Sequence, residues 1–348
     1  MRPGAIKTLL QTARALALTV WCAWAHASVG LTTLPGAGGD GPVTVFYPSS
    51  AATAPLRRGS FTLDVAWQGA AVAGNGRLIV LSQGSGGSPW PQSDLAQALA
   101  RAGFVVAMPE HTGDNWHDMG KVGPESWKIR PLEVSRAIYV IGRDARFAPL
   151  VDLTRAGMYG MSAGGHTALT LAGGRWSTAR LLAHCEAHLA DDFMACTGAA
   201  TELKGNGWDG IKKTVAMVLI RWHLRGKEEW LGHTDPRIKA VVAGVPMAAD
   251  FDLATLAAPT VPVGLVQAEQ DHWLVPRFHS GAVIAACKTC ELLASLPTGG
   301  HGALLSPLAH DEPARIQRLL ADPPGFNRAE VPALYQRINH FFQQHLLP

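Results

Sequence analysis

Short, almost wholly apolar segments recur along the chain and alternate with segments of helical periodicity. The apolar segments are Arg77–Ser82, Phe104–Met108, Ala156–Gly160, Lys239–Val245, Val263–Ala268 and Glu291–Leu296. The helical segments are Asp94–Ala102, Pro131–Gly142, Ala163–Ala172 and Val331–Leu347. Strands without a polar face must be covered on both sides, and helices between consecutive strands provide that cover. The pattern therefore predicts an α/β fold, with a mostly parallel central sheet and helices on both faces.

Two regions depart from this alternation. The first, residues 28–76, contains Val43–Tyr47 and Phe61–Trp67, which are β-rich and separated by Gly and Pro, as antiparallel hairpins are. The second, residues 175–236, is far longer than an ordinary connection between elements and holds four tryptophans and two cysteines. An insertion there would lie near the carboxyl edge of the sheet, where sites in such folds occur. It is either a lid, cap or wall of the substrate pocket, or additional packing without contact to substrate.

Residues 1–27 have the three parts of a secretory signal peptide. Basic residues come first, the apolar run Ala15–Trp24 follows, and Ala25-His26-Ala27 matches a small-x-small cleavage site. The run is too short to span a bilayer comfortably, which disfavours an uncleaved anchor. The residues before Cys22 do not resemble a lipoprotein signal. We expect a periplasmic or secreted protein with no membrane span after cleavage.

Composition and charge restrict the partners of the chain. Hydrophobic residues make up 47% of the 348 residues and charged residues 16%, which indicates a globular chain rather than a disordered one. Three of the 30 basic residues lie in segment 1–27, and the others equal the 27 acidic residues in number. This balance excludes a basic nucleic-acid binder. We expect a single domain over residues 28–348.

Four cysteines remain beyond the predicted signal peptide: Cys185, Cys196, Cys287 and Cys290. An even number in an oxidising compartment predicts disulfides, and the two local pairings close the shortest loops. A zinc site using His184 or His188 is an alternative, and so is a redox-active Cys287–Cys290 pair. Because no second ligand pair with standard zinc spacing is present, we expect disulfides and no metal.

Gly160-Met161-Ser162-Ala163-Gly164 fits the pattern G-x-S-x-G. The pentapeptide alone is a weak signal, but it lies between a predicted strand and a predicted helix. A tight turn at such a junction projects the serine hydroxyl, and small neighbours let the turn close. Ser162 is therefore the candidate nucleophile.

A serine hydroxyl needs a base to accept its proton, and the base needs a partner that fixes its tautomer. Asp271 follows the predicted strand Val263–Ala268 and is the candidate acid, with Glu269, Asp250 and Asp252 as alternatives. His301 lies on a Gly-rich loop after the last predicted strand and is the candidate base. His272 and His310 are the alternatives to it. The order Ser, acid, His is the one found in α/β-hydrolases.

The oxyanion of a tetrahedral intermediate needs hydrogen-bond donors. We expect one from the backbone amide of Ala163, directly after the candidate nucleophile. The other should come from the Gly-rich loop after Arg77–Ser82, with the amide of Ser85 favoured and that of Gly86 next. This loop lacks the Gly-Lys-Ser/Thr ending of a phosphate-binding P-loop.

The chain resembles the secreted α/β-hydrolases, in particular the dienelactone-hydrolase-like and platelet-activating-factor-acetylhydrolase-like lineage. The resemblance runs from about Val43 to His301 and rests on LSQGSGGS, RAGFVVAMPEHTGDN, YGMSAGGHTAL, DPRIKAVVAGVP and the Asp271 and His301 loops. It implies an α/β-hydrolase fold and ester hydrolysis by a serine triad without cofactor. The residues implied are Ser162, Asp271, His301 and the Ser85 and Ala163 amides.

Two departures from the lineage concern positions beside the triad. Gln83-Gly84 stands where the lineage usually has His-Gly, and Met161 stands where it usually has His. Dienelactone hydrolases proper use a cysteine nucleophile, so the resemblance does not carry over a substrate. We expect a small-molecule or lipid ester. A peptidase or amidase with the same triad, and a non-catalytic binding protein on this scaffold, are the alternatives.

Loops after the first two core strands supply weaker candidates. Trp90, His111 and Trp116, with Asp114 and Asn115, are expected near the pocket mouth, either contacting substrate or forming an ordinary polar rim. The charged side chains nearby are expected at the surface: Lys121, Lys128 and Arg130. Glu133 and Arg136 have the spacing of an ion pair within one helix.

Overall fold

The computed structural model of the protein describes residues 28–198, 200–226, 228–309 and 313–347. The predicted signal peptide, including Cys22, lies outside the described residues, as does His310. Within the described ranges, the chain is built on one mixed sheet of ten strands.

The twelve strands that the structure describes are β1 Ser28–Leu34, β2 Val43–Ser49, β3 Ala54–Arg58, β4 Phe61–Trp67, β5 Leu78–Ser82, β6 Val105–Pro109, β7 Ala156–Met161, β8 Arg175–Trp176, β9 Ile238–Gly244, β10 Phe251–Asp252, β11 Val263–Ala268 and β12 Glu291–Leu296. The large sheet has the order β12-β11-β9-β7-β5-β6-β2-β1-β4-β3. Strands β12 to β6 in this order are mutually parallel, whereas β2 is antiparallel to β6 and β1, and β3 to β4. The predicted mostly parallel sheet is confirmed.

The helices are α1 Ser93–Arg101, α2 Pro124–Arg143, α3 Ala163–Leu171, α4 Thr178–His188, α5 Phe193–Cys196, α6 Asp209–Leu224, α7 Leu253–Leu256, α8 Ser280–Ala286, α9 Ala314–Leu320 and α10 Val331–Leu346. Helix α2 begins earlier than the sequence predicts. Pro124 occupies its first turn after Gly123, whose φ is 95°, and Pro131 lies inside the helix. A proline favours a helix start wherever it stands, so the sequence could not distinguish the two positions.

The central strands are buried on both faces because helices cover both. On β5, Leu78 and Val80 belong to an apolar cluster that includes α2 and α3, while Ile79 and Leu81 belong to a second cluster that includes α1 and α10. Successive strand residues point to opposite faces, so each face has its own core. Because β5, β7, β11 and β12 are mutually parallel, their carboxyl ends lie at the same edge of the sheet.

The insertion between α3 and β9 contains β8, α4, α5 and α6. Strand β8 pairs with β10 in a separate two-stranded sheet, and α4 packs against α6. None of the helices in the described ranges has both the length and the apolar character needed to cross a bilayer.

Both predicted cysteine pairs lie at disulfide distance. The two sulfur atoms of Cys185 and Cys196 are 2.09 Å apart, and those of Cys287 and Cys290 are 2.01 Å apart. The first pair joins α4 to α5 within the insertion. The second joins the end of α8 to the start of β12.

Replacing Cys185 and Cys196 together by serine should lower the free energy of unfolding by about 3 kcal/mol, because the bridge restricts the unfolded chain. Its sequence separation is 11, against 3 for Cys287 and Cys290. The corresponding double variant of the shorter loop should therefore lose less, about 2 kcal/mol. Guanidinium unfolding curves of the two double variants measure both losses. Free thiols at all four positions of the native protein, found by nonreducing peptide mapping, would contradict the prediction.

Candidate active site

Ser162 lies in a sharp turn between β7 and α3. Its backbone has φ 58° and ψ −116°, a conformation that residues other than glycine rarely adopt. The turn closes through direct backbone contacts: a Cβ on Gly160 would overlap the carbonyl of Gly164, and one on Gly164 would overlap that of Ser82. The Ser162 amide donates to the Gly244 carbonyl on β9 at 3.0 Å. The predicted strand–turn–helix junction is present, with the serine at the carboxyl edge of the sheet.

The three predicted triad side chains are in hydrogen-bond contact. Ser162 Oγ lies 3.1 Å from His301 Nε2, and His301 Nδ1 lies 2.7 Å from Asp271 Oδ2. The other Asp271 oxygen accepts the amides of Trp273 and Leu274 at 2.8 and 2.9 Å. His301 and Asp271 are 5% and 3% exposed. A carboxylate at Nδ1 fixes the proton there and leaves Nε2 free to accept the serine proton.

The alternative acids and bases lie elsewhere. The Asp250 carboxylate pairs with His166 Nε2 at 3.0 Å, Glu269 accepts from the Ser295 hydroxyl at 2.6 Å, and Asp252 caps α7. His272 is exposed. Within the described residues, His301 is the histidine that bonds Ser162, and Asp271 is the acid that bonds His301.

Two predicted oxyanion donors keep their amides available. Among the described residues, neither the Ser85 amide nor the Ala163 amide has a hydrogen-bond acceptor. The Gly86 amide instead donates to Asp114 Oδ1 at 2.8 Å, which argues against Gly86 as the donor. The loop approaches Ser162 at Gly84, where a Cβ would lie 3.8 Å from Ser162 Oγ.

Arg130 lies beneath this loop, and its predicted surface position is wrong. The side chain is completely buried and donates to the Gln83 carbonyl at 2.5 Å and to Asp114 Oδ2 at 2.8 Å. Burial by itself would raise the pKa of Asp114, but the Arg130 guanidinium and the Ser126 hydroxyl lower it. The buried Arg130–Asp114 ion pair therefore holds the Gly-rich loop at two points. Arg130 bonds the Gln83 carbonyl at the start of the loop, and Asp114 bonds the Gly86 amide further along it. The missed signal was spacing, because position 130 falls on the buried stripe of α2.

His111 is also buried, contrary to the prediction that it lies at the pocket mouth. Its Nε2 lies 2.7 Å from Ser82 Oγ and its Nδ1 lies 2.6 Å from Glu133 Oε2. Burial and the nearby Arg130 guanidinium lower the pKa of His111, so the neutral ring donates to Glu133 and accepts from Ser82. Both ring nitrogens are occupied by protein partners, and the side chain is fully buried.

The neighbouring loop candidates have different positions. Asp114 and Asn115 are buried, so they do not form a rim. Trp116 is 65% exposed, and its amide bonds to the Gly87 carbonyl. Trp90 is half-buried against the α1 and α10 cluster. The substrate contacts predicted for Trp90 and Trp116 stay predictions. The predicted Glu133–Arg136 pair is wrong, because Glu133 bonds His111 while Arg136 pairs with Asp40.

A second polar cluster joins the insertion to the Asp271 loop. Asp192 precedes α5 and accepts hydrogen bonds from His184 Nε2 at 2.8 Å and His279 Nε2 at 2.9 Å. The Ala248 amide donates to the other ring nitrogen of His279 at 3.0 Å. Burial would raise the pKa of Asp192, but its two histidine partners outweigh burial and lower it to about 2. The described residues contain no group of three His, Cys, Asp or Glu side chains that could hold a metal ion.

A cavity of about 410 Å³ opens beside His301. Its wall comes from the insertion, from the Asp271 and His301 loops, and from α9 and the turn after it. The lining side chains that matter for chemistry are Met194, Glu202, Lys204, Trp273, His301 and Arg318. Part of the insertion therefore forms a wall of this cavity.

A serine hydroxyl bonded to an imidazole that a carboxylate orients can act as a nucleophile. Free amides at the start of α3 and in the adjoining loop can stabilise negative charge on an oxygen. No protein-family model and no curated protein matches the chain. The chemistry of the site is therefore inferred from its own geometry.

The Arg130→Met variant should lose about 3–5 kcal/mol of unfolding free energy, because it leaves Asp114 as an unpaired buried charge. Urea unfolding measures this loss. Lys128→Met is the matched control on the same helix, since Lys128 is exposed and only approaches Glu229 at 3.8 Å. Its loss should stay below about 0.5 kcal/mol. Equal losses in the two variants would contradict the structural importance of Arg130.

The Asp192→Asn variant should be less stable than the native protein at neutral pH by about 2 kcal/mol. A lowered folded-state pKa means that the carboxylate stabilises the fold above about pH 4 and loses this effect toward pH 2. The stability gap should therefore close over that interval, as thermal midpoints against pH would record. Asp191→Asn, which removes an exposed carboxylate facing Arg277, should show no such gap. If the stability difference between the native protein and Asp192→Asn did not change with pH, this would contradict a stabilising negative charge on Asp192.

Proposed function

We propose that this chain is an exported serine hydrolase of the α/β-hydrolase fold that cleaves carboxylic esters through an acyl-enzyme. The observation that carries the proposal is the continuous hydrogen-bond chain from Ser162 through His301 to Asp271. Its geometry matches the requirements of a nucleophile, a base and an orienting acid. The cysteine pairs at disulfide distance are compatible with an oxidising compartment.

Acylation begins when Ser162 Oγ attacks the ester carbonyl and His301 Nε2 takes its proton. Asp271 stays hydrogen-bonded to His301 Nδ1 and stabilises the imidazolium. The carbonyl oxygen becomes an oxyanion, for which the Ala163 and Ser85 amides are the proposed donors. The carbonyl then re-forms, the bond between the acyl carbon and the alcohol oxygen breaks, and His301 gives its proton to that oxygen.

Deacylation uses the same groups in reverse. His301 takes a proton from water, the resulting hydroxide attacks the acyl carbon, and Ser162 leaves with the proton. The cavity beside His301 offers room for one of the two substituents of the ester. Its mixture of apolar and charged lining, with Met194 and Trp273 beside Arg318, suits an acyl or alcohol group with a polar end.

The Ser162→Ala variant should hydrolyse p-nitrophenyl esters at least about a thousandfold more slowly than the native protein, because no nucleophile remains. Rates on esters of increasing acyl length measure the loss and the size of the pocket. Ser135→Ala is the matched control, since Ser135 lies on α2, bonds His233 and is outside the triad. Its rate should equal that of the native protein.

Two results would contradict the proposal. Equal ester hydrolysis by the native protein and Ser162→Ala would mean that another group is the nucleophile. A folded native protein without activity on any ester should then be assayed on p-nitroanilide amides. Activity there favours the peptidase or amidase alternative, and inactivity favours a binding protein.

A further inference from the structure

An apolar stripe on α6 faces away from the protein. Within the described residues, it is the densest group of exposed large apolar side chains, each 52 to 77% exposed: Trp208, Ile211, Val215, Val218, Leu219 and Trp222. These residues recur every three or four positions and so share one face of the helix. Ala216 and Ile220 on the opposite side are buried. Helix α6 therefore has two apolar faces. One packs against the protein, and the other, the α6 stripe, is exposed.

Basic side chains flank the α6 stripe. Arg221 lies three residues beyond Val218 and Lys212 lies four residues beyond Trp208, so both border the stripe on the helix. Arg221 also pairs with Glu186 at 2.7 Å, and Lys212 pairs with Asp209 at 3.1 Å. Arg225 follows the last residue of α6. Residues 204–226 contain five basic side chains and one acidic side chain. The remainder of residues 28–348 contains more acidic than basic ones. The segment that carries the α6 stripe therefore has an excess of positive charge.

We propose that the α6 stripe docks on an anionic lipid surface. An apolar helix face with tryptophans and a basic border is the arrangement that lies in a membrane interface. The apolar side chains enter the acyl boundary, Trp208 and Trp222 lie at the level of the headgroups, and the basic border contacts anionic lipids. A second copy of the chain fits this surface less well, because a twofold pairing would bring the basic borders of both copies together.

The docked helix would stand at the cavity beside His301. Lys212 Nζ donates to the Glu202 carbonyl at 2.7 Å, and the Asp209 carboxylate accepts the Lys204 amide. Glu202 and Lys204 line that cavity. Docking would therefore hold the cavity mouth close to the lipid surface. If the proposed function is correct, the substrate class becomes esters that partition into lipid surfaces.

The test is flotation of the purified chain from Ser28 onward with vesicles. Binding to phosphatidylcholine vesicles with about 30% phosphatidylglycerol should exceed binding to pure phosphatidylcholine and should weaken in about 0.5 M NaCl. The double variant Val218→Ser, Trp222→Ser should reduce the partition coefficient by about tenfold or more. Trp67→Ser is the matched control, because Trp67 is 40% exposed on β4. It should bind like the native protein.

Vesicle binding and hydrolysis fail independently of each other. The Ser162→Ala variant should float with the vesicles as well as the native protein, whether or not Ser162 is a nucleophile. Circular dichroism confirms that each variant is folded. A folded native protein that does not bind, or a double variant that binds equally well, would overturn the proposal. The proposal would also be overturned if ultracentrifugation showed that the native protein is a dimer and the double variant a monomer. The stripe would then be a protein interface.

Discussion

The close backbone packing around Ser162 is the constraint on which the rest of the site depends. The left-handed conformation of Ser162 would be too costly in an isolated turn. It persists because β5, β9 and α3 contact the turn on several sides. Gly160 and Gly164 permit those contacts, because each lacks the Cβ that would strike a neighbouring carbonyl. The same turn aims the hydroxyl toward His301, starts α3 with unsatisfied amides, and brings the Gly-rich loop within reach.

Two buried charge clusters hold the loops around this turn. Arg130 fixes the Gly-rich loop through Asp114 and backbone carbonyls. Asp192 fixes the end of the Asp271 loop by accepting the Val275 amide at 3.3 Å, and it also bonds His279. Isolated buried charges are costly, but each of these is surrounded by partners that replace its hydration. Loops have few apolar contacts of their own, so directional polar bonds are the means of positioning them. Both clusters position loops around Ser162 and His301 without bonding to either side chain.

The insertion has a buried, polar-bonded side and an exposed apolar side, a combination that an element of the core would not have. Its buried side joins the Asp192 cluster and walls the cavity, while α6 presents an exposed apolar face. The disulfide-distance pair Cys185–Cys196 and the bond from His184 to Asp192 attach it firmly near α5. Such attachment is typical of a pocket wall more than of a lid that swings open.

The sequence alone determined the α/β fold class and the grouping of Ser162, Asp271 and His301, because both depend on local order. Apolar runs in alternation with helices require a covered parallel sheet, and β4, β11 and β12 lie where their residue pattern predicts. Carboxyl ends of parallel strands share one edge, so Asp271 and His301 could be placed beside Ser162 from their positions after strands. Only the tertiary structure decided the burial of Arg130, His111 and Asp192. The local sequence around a charged residue predicts that its side chain is exposed. Whether the side chain is instead buried depends on partners that are distant in the sequence.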